Sequence, residues 1–337
     1  MRNLVKKNIL KLKPSSTLVI NEKCKDLISQ GKKVYQLGFG QSPFPVPEKI
    51  VSELKKNAHK KEYLPIQGLP ALREAVSNYL LKKTGVNYPK ENILITPGSK
   101  EAMLLMHVAF NGEIILPAPS WVSYEPQAQI GLNKIHWLQT TRENNWFPTP
   151  KEIEKKIQKI GKNKNIILIL NSPNNPSGTV CKNLKKIAII AEKYKIIILS
   201  DEIYTDLTFC NRYESISKFY PEATFVSGGL SKWCGAGGWR LGFFAVPKKL
   251  SGFLENLKSL AIARITSLSD IPNLADRKPS ITFHSFVRSL VLSPLFLAVS
   301  GFSRFFKGAC DSADKVKINK LKRKTDKPNQ PVLRINM

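Results

Sequence analysis

Ile166-Ile-Leu-Ile-Leu170 is an unbroken apolar run, and Asn171-Ser-Pro-Asn-Asn-Pro-Ser-Gly178 follows it at once. A strand with one wet face alternates apolar and polar residues, so a continuous run suits a strand buried on both faces. Working outward, similar runs recur along the chain. Upstream lie Asn92-Ile-Leu-Ile-Thr96, Glu113-Ile-Ile-Leu116 and Lys134-Ile-His-Trp-Leu138. Downstream lie Ile196-Ile-Ile-Leu199, Thr224-Phe-Val-Ser227 and Leu241-Gly-Phe-Phe-Ala-Val246. Helical segments are expected from Ser99, from Trp121, over Pro150–Ile160 and over Asn183–Lys195. Short β-rich runs alternating with helices predict a doubly wound α/β fold with a mostly parallel sheet.

The pattern does not fill the chain. Its 337 residues leave room for a large α/β domain and a smaller one. Residues 1–45 read as an N-terminal arm and part of a small domain, closed by the Gly/Pro-punctuated connector from Gln36 to Pro47. Residues 46–261 carry the α/β pattern, and 262–337 form an atypical C-terminal segment with no βα period. An apolar content of 42% excludes wholesale disorder. Net charge is +28, and residues 261–337 hold 14 Lys+Arg against 5 Asp+Glu, densest in the basic tail from Lys315 to Lys327. Elsewhere the excess is lysine pairs of the kind that line solvated helix faces. No helix-turn-helix, zinc or RNA motif accompanies it, so nucleic acid is not expected as a partner. Five cysteines without a C-x-x-C pair suit a reducing compartment. No secretory leader is read, and the apolar stretch Ser289–Ser303 is short and holds Pro294, so the expectation is a cytoplasmic protein away from membranes.

In open α/β sheets ligands bind beyond the carboxyl ends of the strands. The residues found there are Pro97-Gly98-Ser99-Lys100, Asn171 to Gly178, Ser200-Asp201-Glu202-Ile203-Tyr204, and Gly228 to Lys232 leading to Arg240. A Gly-Ser-Lys helix start offers backbone N–H groups and a hydroxyl to a phosphate. Lys232, with Arg240 eight residues on, is expected to have its amine pKa lowered, favouring the neutral nucleophile. Asp201 can hold a positive ring nitrogen, and the Tyr204 hydroxyl can bond a phenolate. Phosphate site, amine, carboxylate and phenol together meet the needs of pyridoxal phosphate. His107 and His136 show no metal spacing, and no metal is expected.

At these residues the chain resembles the class I/II aminotransferases, the aspartate-aminotransferase-like enzymes of pyridoxal-phosphate fold type I. Asn171 to Gly178 matches N-x-x-N-P-[ST]-G, Asp201 to Tyr204 matches D-E-x-Y, and Ser231 to Gly242 matches S-K-x(7)-R-x-G. Tyr63 to Glu74 resembles Y-x-x-x-x-G-x-x-x-L-R-E, and Pro117 to Glu125 resembles P-x-P-x-W-x-x-Y. The resemblance runs from about Leu37 to Ala261 and implies a fold-type I large domain with an incomplete or atypical small domain. It implies a transaminase passing an amino group between an amino acid and a 2-oxo acid by a ping-pong cycle. Lys232 would form the internal aldimine and shuttle the proton, and Ser231 beside it would help bind the cofactor. Asp201 would pair with the pyridinium nitrogen, and Tyr204 and Asn175 would bond the cofactor's O3′. Trp121 would stack on the ring, while Ser99, the Lys100 backbone and Arg240 would grip the phosphate. Tyr63 would reach the partner's site in a homodimer, and Gly40 and Asn175 would lie beside the substrate.

Ordinary roles compete with several of these. Trp121 could fill the core, Tyr63 could be structural, and Asn175 could be a turn former. Cys234 reads as a small filler. Two departures stand out. Gly229 sits where the family often carries a phosphate-binding serine. After Ala261 the match fades, and Arg334 only faintly resembles the family's carboxylate-clamping arginine. The alternative reading is therefore an impaired cofactor-binding remnant with a truncated or frameshifted small domain, or a lyase on the same scaffold.

Overall fold

The structure is a computed structural model and describes residues 4–36, 38, 40–208 and 213–261. The C-terminal segment from residue 262, with its basic tail and Arg334, lies outside the described residues. The N-terminal region holds a short helix α1 (Lys7–Leu10) and the longer α2 (Ser16–Ser29), followed by α3 (Glu48–Asn57) and α4 (Pro70–Thr84). From there strands and helices alternate as β1 (Ile93–Pro97), α5 (Ser99–Ala109), β2 (Glu113–Ala118), α6 (Tyr124–Ile130), β3 (Lys134–Gln139), α7 (Pro150–Ile160) and β4 (Ile166–Asn171). The series ends with α8 (Leu184–Lys193), β5 (Ile197–Asp201), β6 (Thr224–Gly229), β7 (Leu241–Ala245) and α9 (Ser251–Ala261).

The seven strands form one sheet in the order β1-β7-β6-β5-β4-β2-β3. Strands β3, β2, β4, β5 and β6 are mutually parallel, and β7 runs antiparallel between β6 and β1. The mostly parallel sheet expected from the sequence is present. The reversal of β7 follows from its short link to β6, residues 230–240, since a parallel return needs a crossover with a helix.

Strand β4 is buried at every residue, as its apolar run requires. Its side chains divide between two cores by strand alternation. Ile167 and Ile169 join Ile114, Leu116, Leu199 and Phe225 with residues of α5, α6 and α9 on one face. Ile166, Leu168 and Leu170 join Ile115 and Ile198 with residues of α7 and α8 on the other. Helix starts are built locally. Thr149 and Glu152 form a reciprocal capping box on α7, with Pro150 in the first turn. Pro70 opens α4, and Gly85 closes it in the left-handed conformation that glycine adopts without strain. Among the described residues, no helix is long and apolar enough to cross a membrane.

Candidate active site

Side chains at the carboxyl ends of three parallel strands form a row. Asn171 of β4 is in register with Asp201 of β5, and Asp201 with Ser227 of β6. Asp201 is only 2% exposed, and its carboxylate accepts three hydrogen bonds. The Tyr124 hydroxyl donates to Oδ2 at 2.6 Å, and the Ser227 hydroxyl to Oδ1 at 3.1 Å. The Ile203 N–H also reaches Oδ1, at 3.3 Å. Burial pushes the Asp201 carboxyl above its ordinary range, while these donors and the nearby Lys232 charge pull the other way. Asn171 ties the row to the next loop: its amide donates to the Asp201 carbonyl at 2.9 Å, and its oxygen accepts the Asn175 N–H at 2.7 Å.

Asn175 then donates to the Tyr204 hydroxyl at 3.0 Å. Burial raises the Tyr204 pKa, which the Asn175 bond opposes and the Asp201 charge reinforces. The Lys232 amine stands 5.7 Å from the centre of the Tyr204 ring and donates to the Gly40 carbonyl at 3.2 Å. Its pKa is lowered, first by burial and then by the charges of Lys100 and Arg240, against the opposing pull of Asp201. The sequence reading rested this on Arg240; desolvation is the larger cause, and Lys100 is a second cation it did not count.

Beside this row lies the start of α5. Gly98 has φ of +82°, and a Cβ there would stand 2.2 Å from Arg240 Nη2. Arg240 is itself left-handed, with φ of 56°. Its guanidinium donates to the Gly237 carbonyl at 2.7 Å and to the Pro97 carbonyl at 3.1 Å. Those bonds fix the fork beside Ser99 and Lys100, where a helix start leaves backbone N–H groups free to meet an anion. Gly242 packs so closely under the same turn that a Cβ would meet Ser99 N at 2.3 Å. At Gly229 a Cβ would meet the Leu241 carbonyl at 2.7 Å. The missing serine hydroxyl thus coincides with a tight approach of β6 and β7.

Trp121 meets Tyr124 edge-on at 5.3 Å, and the Lys100 amine lies 4.9 Å from the Trp121 ring. Ser231 is half-buried in the turn before Lys232. Lys232, Asp201, Tyr204, Asn175, Gly40, Ser99, Lys100, Trp121, Ser231 and Arg240 therefore gather along one edge of the sheet. Tyr63 does not join them: it is 90% exposed between α3 and α4. At Gly40 a Cβ would stand 4.0 Å from the Lys232 amine, an ordinary contact distance, so this chain alone leaves room there. Outside the row, His107 is buried against Asn133 with its pKa pushed down to about 4, and His136 pairs with Glu113. Cys234 packs with Ile50 and Ala236, and burial pushes its thiol up to about 11. Asn171, Tyr124 and Ser227 had no role in the sequence reading. Each stood inside or beside a quoted motif, and the signal available was position: Asn171 ends and Ser227 nears the end of a strand beside β5, and Tyr124 closes the Trp121 motif.

The family described as "Aminotransferase class I and II" matches residues 32–272. An aspartate aminotransferase of Pyrococcus horikoshii is 35% identical over 268 residues, 76% of this chain and 68% of that protein. An aspartate aminotransferase of Geobacillus stearothermophilus is 30% identical over 280 residues, 80% of this chain and 70% of that protein. The solved structure of a Thermus thermophilus aspartate aminotransferase with maleate superposes with a TM-score of 0.77 at 25% identity, covering 90% of this chain and 76% of that one. With the sheet order, the strand-end row and these likenesses together, the chain belongs to the class I and II aminotransferase family and is a pyridoxal-phosphate-dependent transaminase.

Proposed function

We propose that the chain passes an amino group between an amino acid and a 2-oxo acid in two half-reactions, with pyridoxal 5′-phosphate held covalently by Lys232. The observation that carries this reading is the Asp201 carboxylate, buried and bonded by Tyr124 and Ser227, next to a lysine whose amine is biased toward neutrality. A buried carboxylate raised by desolvation is poised to receive a cation, and a protonated ring nitrogen is one. The residues fit the cofactor at its other end as well, since Gly98 leaves the Arg240 fork space that a Cβ would fill.

The bound cofactor supplies an electron sink for bond cleavage at the amino acid's α-carbon. Asp201 would keep the ring nitrogen protonated. Tyr204 and Asn175 would bond the ring oxygen, Trp121 would shield one ring face from water, and Ser99, Lys100 and Arg240 would bind the phosphate. Lys232, as the free amine, would carry the proton to and from the α-carbon. Tyr63 would serve a second subunit's site, and the active unit would be a homodimer. Aspartate is the first amino acid to try, from the names of the relatives.

The full chain is reconstituted with pyridoxal phosphate, and its visible absorbance is followed as single amino acids are added. Conversion to the pyridoxamine form by an amino acid, with borohydride fixing the cofactor on Lys232, supports the reading. A coloured protein that converts with none would favour a binding remnant, and a colourless one sinks both.

A further inference from the structure

The segment that carries Asp201 and Tyr204 is anchored by the residues between and after them. Ser200 and Glu202, two apart on an extended segment, share the face opposite Asp201. Glu202 is buried, and the Ser200 hydroxyl donates to its Oε1 at 2.9 Å. The Ser215 hydroxyl donates to the same oxygen and meets the Ser217 hydroxyl at 2.7 Å. The Glu202 backbone is fixed too: its N–H reaches the Ser227 carbonyl at 2.9 Å, and its carbonyl accepts the Thr205 N–H at 3.2 Å. Two residues past Tyr204, the Asp206 carboxylate accepts the Tyr79 hydroxyl at 2.8 Å and the Lys83 amine at 2.6 Å, both from α4. Tyr204 itself is held at its hydroxyl by Asn175.

The stretch from Glu202 to Asp206 is thus tied at one end into the interior, and at the other to a helix outside the site. Stability alone does not explain such a choice. A buried carboxylate is costly to desolvate, and apolar side chains of similar volume often stabilise a core as well or better. A satisfied polar network does instead fix one geometry. We propose that Glu202 and Asp206 are paired positioning residues for Asp201 and Tyr204, Glu202 as a hydrogen-bond acceptor and Asp206 as an ionic anchor to α4. This rests on the function proposed above. Displacing the segment would lift the Tyr204 hydroxyl from the ring oxygen it is meant to stabilise as an anion. The charged groups acting on Tyr204 and Lys232, namely Lys100, Asp201 and Arg240, are left intact.

The test uses the full chain as wild type, Glu202→Ala, Glu202→Gln, Asp206→Ala and Ser215→Ala, each loaded with pyridoxal phosphate. Three quantities are read: cofactor affinity, the pH midpoint of the visible absorbance change, and the melting temperature. Glu202→Ala and Asp206→Ala are expected to raise the midpoint by about one pH unit, a tenfold change in the proton equilibrium. Glu202→Gln keeps the oxygen that both serines use and is expected to match wild type; behaviour like the alanine variant would overturn the acceptor role. A merely structural role would lower the melting temperature and leave the midpoint in place, and that result overturns the proposal. If Glu202→Ala does not fold, Ser215→Ala and Asp206→Ala decide the matter, and an unmoved midpoint in both overturns it. A wild type that stays colourless is a different failure, that of the proposed function.

Discussion

Lys232 shows how a single side chain acquires chemistry from its surroundings. Among 53 lysines and arginines its amine is half-buried, faces Lys100 and Arg240, and is opposed by Asp201. Each of these acts on the charged form alone, so their sum sets the fraction of neutral amine at a given pH. Lys100→Gln removes one repelling charge and should therefore raise the Lys232 pKa. In the cofactor-free protein, brief acetic anhydride labelling resolved by peptide mass spectrometry across pH should show the Lys232 midpoint moving upward; a downward or absent shift refutes this balance. The lysine was legible from its motif. Its electrostatic partners were legible only in part, because Lys100 arrives from a helix start 132 positions earlier in the chain.

At the scale of elements, the β6–β7 pair decides what the phosphate region can accept. A serine at position 229 would supply the phosphate-binding hydroxyl that the family resemblance leads one to expect. Its Cβ, however, would lie 2.7 Å from the Leu241 carbonyl and 2.9 Å from Gly242 Cα. Both obstacles are backbone, so relief requires the strands to part. Gly229→Ser should cost about 1–3 kcal/mol, typical of overpacking, measured as a lowered urea midpoint with an unchanged slope. Its cofactor affinity should not improve. The strands themselves could be read directly, because a parallel sheet buried on both faces must be written in continuous Ile, Leu and Val. What could not be read was who meets whom across the sheet. Tyr124 bonds Asp201 from 77 residues away, and no local pattern encodes that contact. Nor does a strand's composition state its direction, which for β7 was set by the length of the link before it.

At the scale of the whole molecule, the proposed site would couple folding to loading. Asp201 in the cofactor-free protein has a carboxyl pKa raised by burial above its unfolded value. A raised folded pKa contributes stability that is fully present below the unfolded pKa and is lost as pH rises through the folded value. A ring cation held beside the carboxylate, as proposed, would offset that loss. The gain in melting temperature on adding pyridoxal phosphate should therefore be larger at neutral pH than in acid near the ordinary carboxyl pKa of about 4, and Asp201→Asn should flatten the difference. An equal gain at neutral and acid pH in wild type would refute the coupling. Assembly offers a second test at this scale. Tyr63, 90% exposed on one chain, is expected to complete a neighbour's phosphate site. Tyr63→Phe should weaken cofactor binding about tenfold, the loss of a hydrogen bond to a charged group, without changing the monomer's circular dichroism. Sedimentation of the loaded wild type should give a dimer; a monomer that binds cofactor with Tyr63→Phe affinity equal to wild type contradicts the shared site.

Because β7 turns back beside β6, one stretch of 11 residues, 230–240, spaces Lys232 from Arg240 at the same edge of the sheet. Chain length there acts as a ruler between amine and guanidinium. A library with single-residue insertions at every position should find this stretch among the least forgiving, scored by cofactor retention. The turn at 161–165, where Gly161 has open space around it, should absorb the same insertions. The record of tolerated length changes would then trace the site without reference to any residue's identity.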